Sequence, residues 1–259
     1  MKIAVSRQDG RQKAVAAELE RKGYQVVCPH KEDPADIMVL SIPFQPSKED
    51  LEQLVQCVKA GGLVFAGMPS QSAVDMFSKK QVQVLDYAKQ EELALLNAIP
   101  TAEGCLKILM EMRSKTIWGS KVVITGFGRI AKLLVRDFMV LGAKVTVIAR
   151  SAAQRAEAQS WGCYTAGIKE LKELAIKNEI FINTVPSLLF TAQVLECMKP
   201  EAVIIDLASN PGGVDFEQAE KLQIPVQWAK GLPARCAPET AGQILAQTVQ
   251  NMLEERGGF

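Results

Sequence analysis

Short runs rich in Val, Ile and Leu alternate along this chain with longer stretches whose apolar residues recur every three or four positions. Such alternation predicts βαβ units, and so an α/β fold built on doubly wound, mainly parallel sheets. In the first part of the chain it predicts strands at Lys2–Ser6, Tyr24–Val27, Ile37–Ile42, Leu63–Ala66 and Gln83–Leu85, with helices near Arg11–Lys22, Ser47–Lys59 and Ser70–Lys79. The helix that opens at Ser47 carries Asp50 three residues on, a capping arrangement, and then Leu51, Leu54, Val55 and Val58 on one stripe that should face a sheet.

The pattern breaks at Asn97-Ala98-Ile99-Pro100-Thr101-Ala102-Glu103-Gly104, and an amphipathic run to Met112 follows, which places the domain join near Pro100. A second α/β unit runs from Trp118 to about Leu232, with strands at Val122–Thr125, Lys144–Ala149, Ile180–Thr184, Ala202–Leu207 and Val226–Trp228. After Pro233 and Pro238 comes a last helix, Thr240–Glu255, whose apolar Ile244, Leu245, Val249, Met252 and Leu253 must return to a core, expected to be that of the first domain. Two domains are expected: residues 1–98, completed by 238–259, and residues 99–237, linker helix included. Gly257-Gly258-Phe259 reads as a frayed tail.

Composition narrows the classes. The 259 residues carry 30 Lys+Arg against 29 Asp+Glu, a formal charge of +1, which is no footprint for a nucleic acid or a membrane surface. The uncharged runs from Ala60 to Val74 and from Ile180 to Leu195 fall short of the ~18 apolar residues of a spanning helix. Polar residues at Arg7, Asp9 and Arg11 argue against a signal peptide, so a cytoplasmic protein is expected. The six cysteines lack any Cys-x-x-Cys pair and read as reduced thiols; with His30 the sole histidine, no metal site and no His-based triad are expected.

The strongest motif is Lys121-Val122-Val123-Ile124-Thr125-Gly126-Phe127-Gly128-Arg129-Ile130-Ala131. A strand, a tight glycine turn and a helix N-terminus bind a dinucleotide: Gly126 permits the turn, Gly128 admits the pyrophosphate, Arg129 and Ile130 open the helix, and Ala131 keeps it near the strand. A glycine turn alone has the bland reading of a structural corner. Arg150 follows the next strand 22 residues after Gly128, where an NAD-selective domain usually places an acid. Arg150, Ser151 and Arg155 suit a 2′-phosphate, so NADP is favoured, with NAD as the alternative. Asn183, Thr184, Val185 and Pro186 follow the next apolar strand and are expected beside the nicotinamide ribose, although Asn and Pro also close ordinary turns. Asp206-Leu207-Ala208-Ser209-Asn210-Pro211-Gly212-Gly213 and Gly231-Leu232-Pro233 belong to the same edge. Four residues after Tyr24, Tyr87 and Tyr164 stand Cys28, Glu91 and Ile168, which excludes a Tyr-x-x-x-Lys dyad.

Taken in order, Ile99 to Gly104, Gly126-Phe127-Gly128-Arg129, Ala149-Arg150-Ser151, Ile182 to Ser187, Asp206 to Gly213, Gly231-Leu232-Pro233 and Ala237-Pro238-Glu239-Thr240-Ala241-Gly242-Gln243-Ile244-Leu245-Ala246 closely resemble the A subunits of dipicolinate synthase. The likeness covers roughly the last two-thirds; the first third matches more loosely, in an opening strand followed by Arg11-Gln12. Ala131 and Ala234-Arg235-Cys236 depart from the family pattern.

The resemblance implies two Rossmann-like domains around a cleft, the first binding substrate and the second NADP. It implies oxidation of dihydrodipicolinate, a lysine-pathway intermediate, to dipicolinate in the mother cell of a spore-forming bacterium, in partnership with a flavoprotein, the B subunit; assembly of several copies of the chain is compatible with it. Aromatisation drives loss of hydride and a proton from a dihydropyridine, so the protein mainly holds the ring against the nicotinamide. For a dicarboxylate substrate Arg11, Arg235 and Lys230 are cationic candidates, each equally readable as a surface charge; Asn183, Ser209 and Thr240 offer neutral hydrogen bonds, and Glu103 or Asp206 is a candidate proton acceptor. Two alternatives stay open: a non-catalytic NADP(H)-binding subunit that supports the flavoprotein, and another NADP dehydrogenase of shikimate or methylenetetrahydrofolate type.

Overall fold

The computed structural model describes residues 1–7 and 9–257; of the tail expected at the C-terminus, 258 and 259 lie outside the described residues. Two units emerge, residues 1–97 with 233–259, and residues 98–232.

The first unit runs β1 (Lys2–Val5), α1 (Gly10–Arg21), β2 (Gln25–Val27), β3 (Ala35–Val39), α2 (Lys48–Gln56), β4 (Val58–Ala66), α3 (Gln71–Ser78) and β5 (Gln83–Asp86), and then enters α4 (Glu91–Met112). Its five strands are all parallel, in the order β2-β1-β3-β4-β5. Both faces are covered, which is why the strands read as nearly continuous apolar runs. Ile3, Val5, Val39 and Phe65 face Val15 and Leu19 of α1, while Ala4, Met38, Val64 and Ala66 face Leu51 and Val55 of α2 and Phe77 of α3. Ser47 caps α2 as its sequence suggests: its side chain accepts from the Asp50 amide and donates to Asp50 Oδ2.

The second unit continues with β6 (Lys121–Thr125), α5 (Arg129–Val140), β7 (Lys144–Ile148), α6 (Ala152–Ser160), β8 (Tyr164–Ala166), α7 (Leu171–Lys177), β9 (Ile180–Asn183), α8 (Ala192–Leu195), β10 (Val203–Asp206), α9 (Phe216–Lys221) and β11 (Val226–Trp228). Its sheet is again parallel, ordered β11-β10-β9-β6-β7-β8. The chain then re-enters the first unit through α10 (Leu232–Cys236) and α11 (Pro238–Glu254). Leu245, Val249 and Leu253 of α11 join the core that α1 covers. At Gly242 an added Cβ would lie 2.4 Å from Ala14 Cβ and 2.5 Å from the Arg11 carbonyl oxygen, so a glycine sets how closely these two helices cross.

Three sequence expectations are corrected. Asn97 to Gly104 is unbroken helix, with Pro100 inside α4. A proline costs the bond to the carbonyl four residues back, but burial of Ala98, Ala102, Cys105 and Leu109 along one stripe outweighs that loss. Strand β4 starts at Val58, so α2 stops short of Lys59, and the three-residue edge strand β8 lacks the alternation that would announce it. Third, although the uncharged runs are short, α4 as a whole has the length and hydropathy to cross a membrane; its buried stripe shows a helix packed in protein instead.

Candidate dinucleotide site

Read from β8, the second sheet runs β8-β7-β6-β9-β10-β11, so successive connections change direction between β6 and β9. Ligands of open parallel sheets bind outside the carboxyl ends of the strands at such a switch point. Here that place is a cleft of about 360 Å³ whose walls include Gly126, Phe127 and Gly128 after β6, Arg150 after β7, and Thr184 to Ser187 after β9.

The turn between β6 and α5 is built for a close approach. Gly126 has φ +87°, and a Cβ there would meet Thr184 Oγ1 at 2.5 Å, so neither its conformation nor its neighbour tolerates a side chain. Its amide donates to the Ile148 carbonyl at 2.7 Å, tying the turn to β7. Gly128 differs: a Cβ would meet nothing within 4 Å. It occupies the N-cap of α5, and no side chain caps the helix. First-turn N–H groups uncapped by protein, beside a glycine whose open side admits a ligand, fit the diphosphate of a dinucleotide. Arg129 and Ile130 are the first two residues of α5. Phe127 is buried and meets Trp161 edge to face, ring centroids 5.3 Å apart, which anchors the middle of the turn.

Arg150 is exposed on the rim, and Ser151, the N-cap of α6, makes no capping bond. Arg155 donates from Nη1 to the carbonyls of Ala149 (2.8 Å) and Arg150 (2.9 Å), so its guanidinium fixes the loop that presents Arg150. Among the described residues no acidic side chain lines the cleft. Thr184 donates to the Thr125 carbonyl at 2.6 Å, locking the end of β9 to that of β6, while Pro186 lies exposed.

Asn183 and Asp206, paired in register across β9 and β10, are fully buried. Asn183 Nδ2 donates to Asp206 Oδ1 (2.8 Å) and the Val185 carbonyl (3.0 Å); Asn183 Oδ1 accepts from Thr125 Oγ1 and the Val185 amide. Asp206 also accepts from the amides of Ala208 (3.0 Å) and Gly213 (2.8 Å). Both Asn183 donors are thus engaged within the protein, and each Asp206 oxygen is bonded. The glycine pair finds its reason here: a Cβ on Gly213 would fall 2.3 Å from Asn183 Nδ2, and Gly212 has φ +86°. Thr125, Gln154 and Ile168, which the sequence did not single out, belong to this network or to the cleft wall.

The remaining candidates are dispersed. Arg11, on α1 in the first unit, donates from Nη2 to the Ile42 carbonyl, and its Nε is buried without an acceptor. A cleft of about 510 Å³ in that unit lies at the switch between β1 and β3, with Ser6, Gln12, Ser41 and Phe44 in its walls. Arg235 is exposed on α10, Thr240 on α11, and Glu103 on α4; Lys230 sits over the Trp228 ring and donates to Asn210 Oδ1, while Ser209 is exposed nearby in sequence. Among the described residues no group of three or more His, Cys, Asp or Glu could hold a metal ion.

Residues 101–213 match the NAD binding domain of D-isomer specific 2-hydroxyacid dehydrogenases. The A subunit of dipicolinate synthase from Bacillus subtilis (strain 168) is 38% identical over 193 residues, which is 74% of this chain and 65% of that protein. The crystal structure of the dipicolinate synthase A chain from Bacillus subtilis superposes with a TM-score of 0.84 at 31% identity, over 98% of this chain and 96% of that one. The corresponding structure from Bacillus halodurans gives the same TM-score at 27% identity, over 97% and 96%. With a nicotinamide-dinucleotide turn shaped as above and a whole-length likeness at this level, the chain belongs to the family of dipicolinate synthase A subunits, a family of oxidoreductases.

Proposed function

We propose that the chain oxidises dihydrodipicolinate to dipicolinate with NADP as acceptor, in the cytoplasm of the mother cell and beside a flavoprotein, the B subunit. The observation that carries this reading is Arg150 exposed on the rim of the glycine-turn cleft, in a chain of this family, where no acid competes for the ribose. Bound there, the nicotinamide supplies a two-electron acceptor.

Each residue then has a task. The backbone from Gly126 to Gly128 and the first turn of α5, from Arg129 and Ile130, hold the diphosphate. Arg150 and Ser151 hold the 2′-phosphate, and Arg155 braces their loop. Thr184, Val185 and Pro186 form the wall beside the nicotinamide ribose. Asn183 and Asp206 act as positioning residues rather than as the substrate and proton partners their sequence positions suggest, because their polar atoms hold strand ends and the Gly212-Gly213 loop. Of the dispersed cations, Arg11, with an unpaired buried Nε, is the candidate partner of a substrate carboxylate. Aromatisation removes two electrons and two protons; one proton leaves with the electrons and the other passes to water or the exposed Glu103.

The test adds freshly generated dihydrodipicolinate and NADP to the purified chain, with and without the flavoprotein, and follows NADPH and dipicolinate together. Equal amounts of both from the chain alone are expected. Dipicolinate formed only with the flavoprotein and without NADPH would give this chain a supporting role instead.

A further inference from the structure

At the amino-terminal edge of the second sheet, opposite the dinucleotide cleft, lies another cleft of about 530 Å³. Arg113 follows α4, Lys121 begins β6, Lys177 ends α7, and Lys199 precedes β10; Lys115 completes five cations around a single carboxylate, Glu179. Residues this far apart in sequence meet only because every parallel strand starts at this edge.

Scattered surface lysines are ordinary, but three features set this group apart. Arg113 has a side chain only 8% exposed, and while its Nη2 donates to Glu179 at 2.9 Å, its Nη1 is buried with no acceptor. A buried, charged donor left unpaired is costly, and an oxygen from outside the chain would meet the need. Second, Glu179 is already shared among Arg113, Lys115 and Lys199, the two lysines at 3.7 Å, while Lys121 and Lys177 make no ion pair among the described residues. The cleft therefore keeps excess positive charge that an anion would relieve. Third, Trp118 lines it, 77% exposed yet held edge-on against Gly142, where a Cβ would come within 2.5 Å of Trp118 Cδ1.

We propose that this cleft binds a small molecule bearing two or more oxyanion groups, with Arg113 and Lys199 at its centre, Lys121 and Lys177 on its rim, and Trp118 as a flat wall. It is a second site, independent of the dinucleotide and of the reaction proposed above.

The test is calorimetric titration of the whole apo chain with sodium pyrophosphate and, separately, with sodium citrate at low ionic strength, with tryptophan fluorescence in parallel. A Kd at or below about 1 mM for either probe is expected. The probe that binds tells phosphate-bearing from polycarboxylate ligands. Affinity should fall at least about tenfold in the double variant Lys177→Gln/Lys199→Gln, which removes one rim and one central cation while leaving the Arg113–Glu179 pair in place, and the fluorescence change should vanish in Trp118→Phe. Arg150→Gln, in the other cleft, should leave binding within about twofold. No binding by either probe, or binding that survives Lys177→Gln/Lys199→Gln, overturns the proposal.

Discussion

Asn183 and Asp206 lie side by side on β9 and β10, and the 2.8 Å bond from Asn183 Nδ2 to Asp206 Oδ1 joins the ends of two strands beneath the loop that supplies Thr184 and Val185 to the cleft wall. Each then reaches outward, Asn183 to the loop carrying Val185 and Asp206 to that carrying Gly213. Asp206→Asn would present an N–H to amides that already donate. It is expected to cost about 2–4 kcal/mol in denaturant unfolding, with bonds to a charged group the main loss. Catalytic pH dependence should survive in whatever fraction stays folded; an abolished pH dependence in folded protein would instead mark Asp206 as the proton acceptor.

The two glycines of the turn should separate stability from binding. Gly126→Ala forces φ +87° on a side chain and drives it at Thr184, so a loss of at least about 1–2 kcal/mol and weak dinucleotide binding are expected. Gly128→Ala meets no protein atom, so its melting temperature should match the parent within about 2 °C while dinucleotide affinity falls. Thermal melts and cofactor titrations of both variants check this.

Arg150→Asp is expected to shift the preference from NADP toward NAD by at least about tenfold, since a charge-assisted pair to a phosphate is replaced by repulsion. Unchanged NADP affinity would remove Arg150 from the 2′-phosphate site. Kd values for both dinucleotides decide it.

Burial pushes the thiol of Cys105 far above its usual range, and those of Cys57 and Cys163 upward too. Native protein with an aromatic disulfide reagent at pH 8 is expected to release one fast equivalent, from exposed Cys28, and the buried three only on denaturation. Mapping the labelled peptides checks the order.

The Lys2 backbone N–H and the Lys59 ammonium hold Asp36 below the usual carboxylate range. A carboxyl lowered in the folded state stabilises above its unfolded value near 3.9 and loses that contribution as pH falls through the folded value. Asp36→Asn should therefore cost less than about 1 kcal/mol at pH 7, given its partial exposure, and the gap to the parent should close below about pH 4. Denaturant midpoints at several pH values check the trend.

The fold class was legible because both sheets rest on local signals: apolar runs buried on two faces, and the glycine turn where strand, corner and helix are contiguous. What local signals miss is pairing at a distance. Asn183 and Asp206 stand at strand ends as expected, but that they exhaust their hydrogen bonds on each other and on neighbouring loops depends on β9 lying beside β10. Pro100 misleads for the same reason, since its local preference is overruled by apolar contacts along α4. The cations around Glu179 come from three connections, so no window of sequence contains them.

The return of α11 to the first unit has a consequence for how the chain is made. A ribosome releases residues 1–97 first and the segment that completes their core last. The core that Val15 and Leu19 share with β1, β3 and β4 must wait, only partly covered, for Leu245 and Val249, while residues 98–232 emerge as one uninterrupted stretch and can close without help from either terminus. The half of the protein that is translated first is thus the half that finishes folding second, and a stop anywhere before α11 leaves an apolar helix face open to chaperones and proteases.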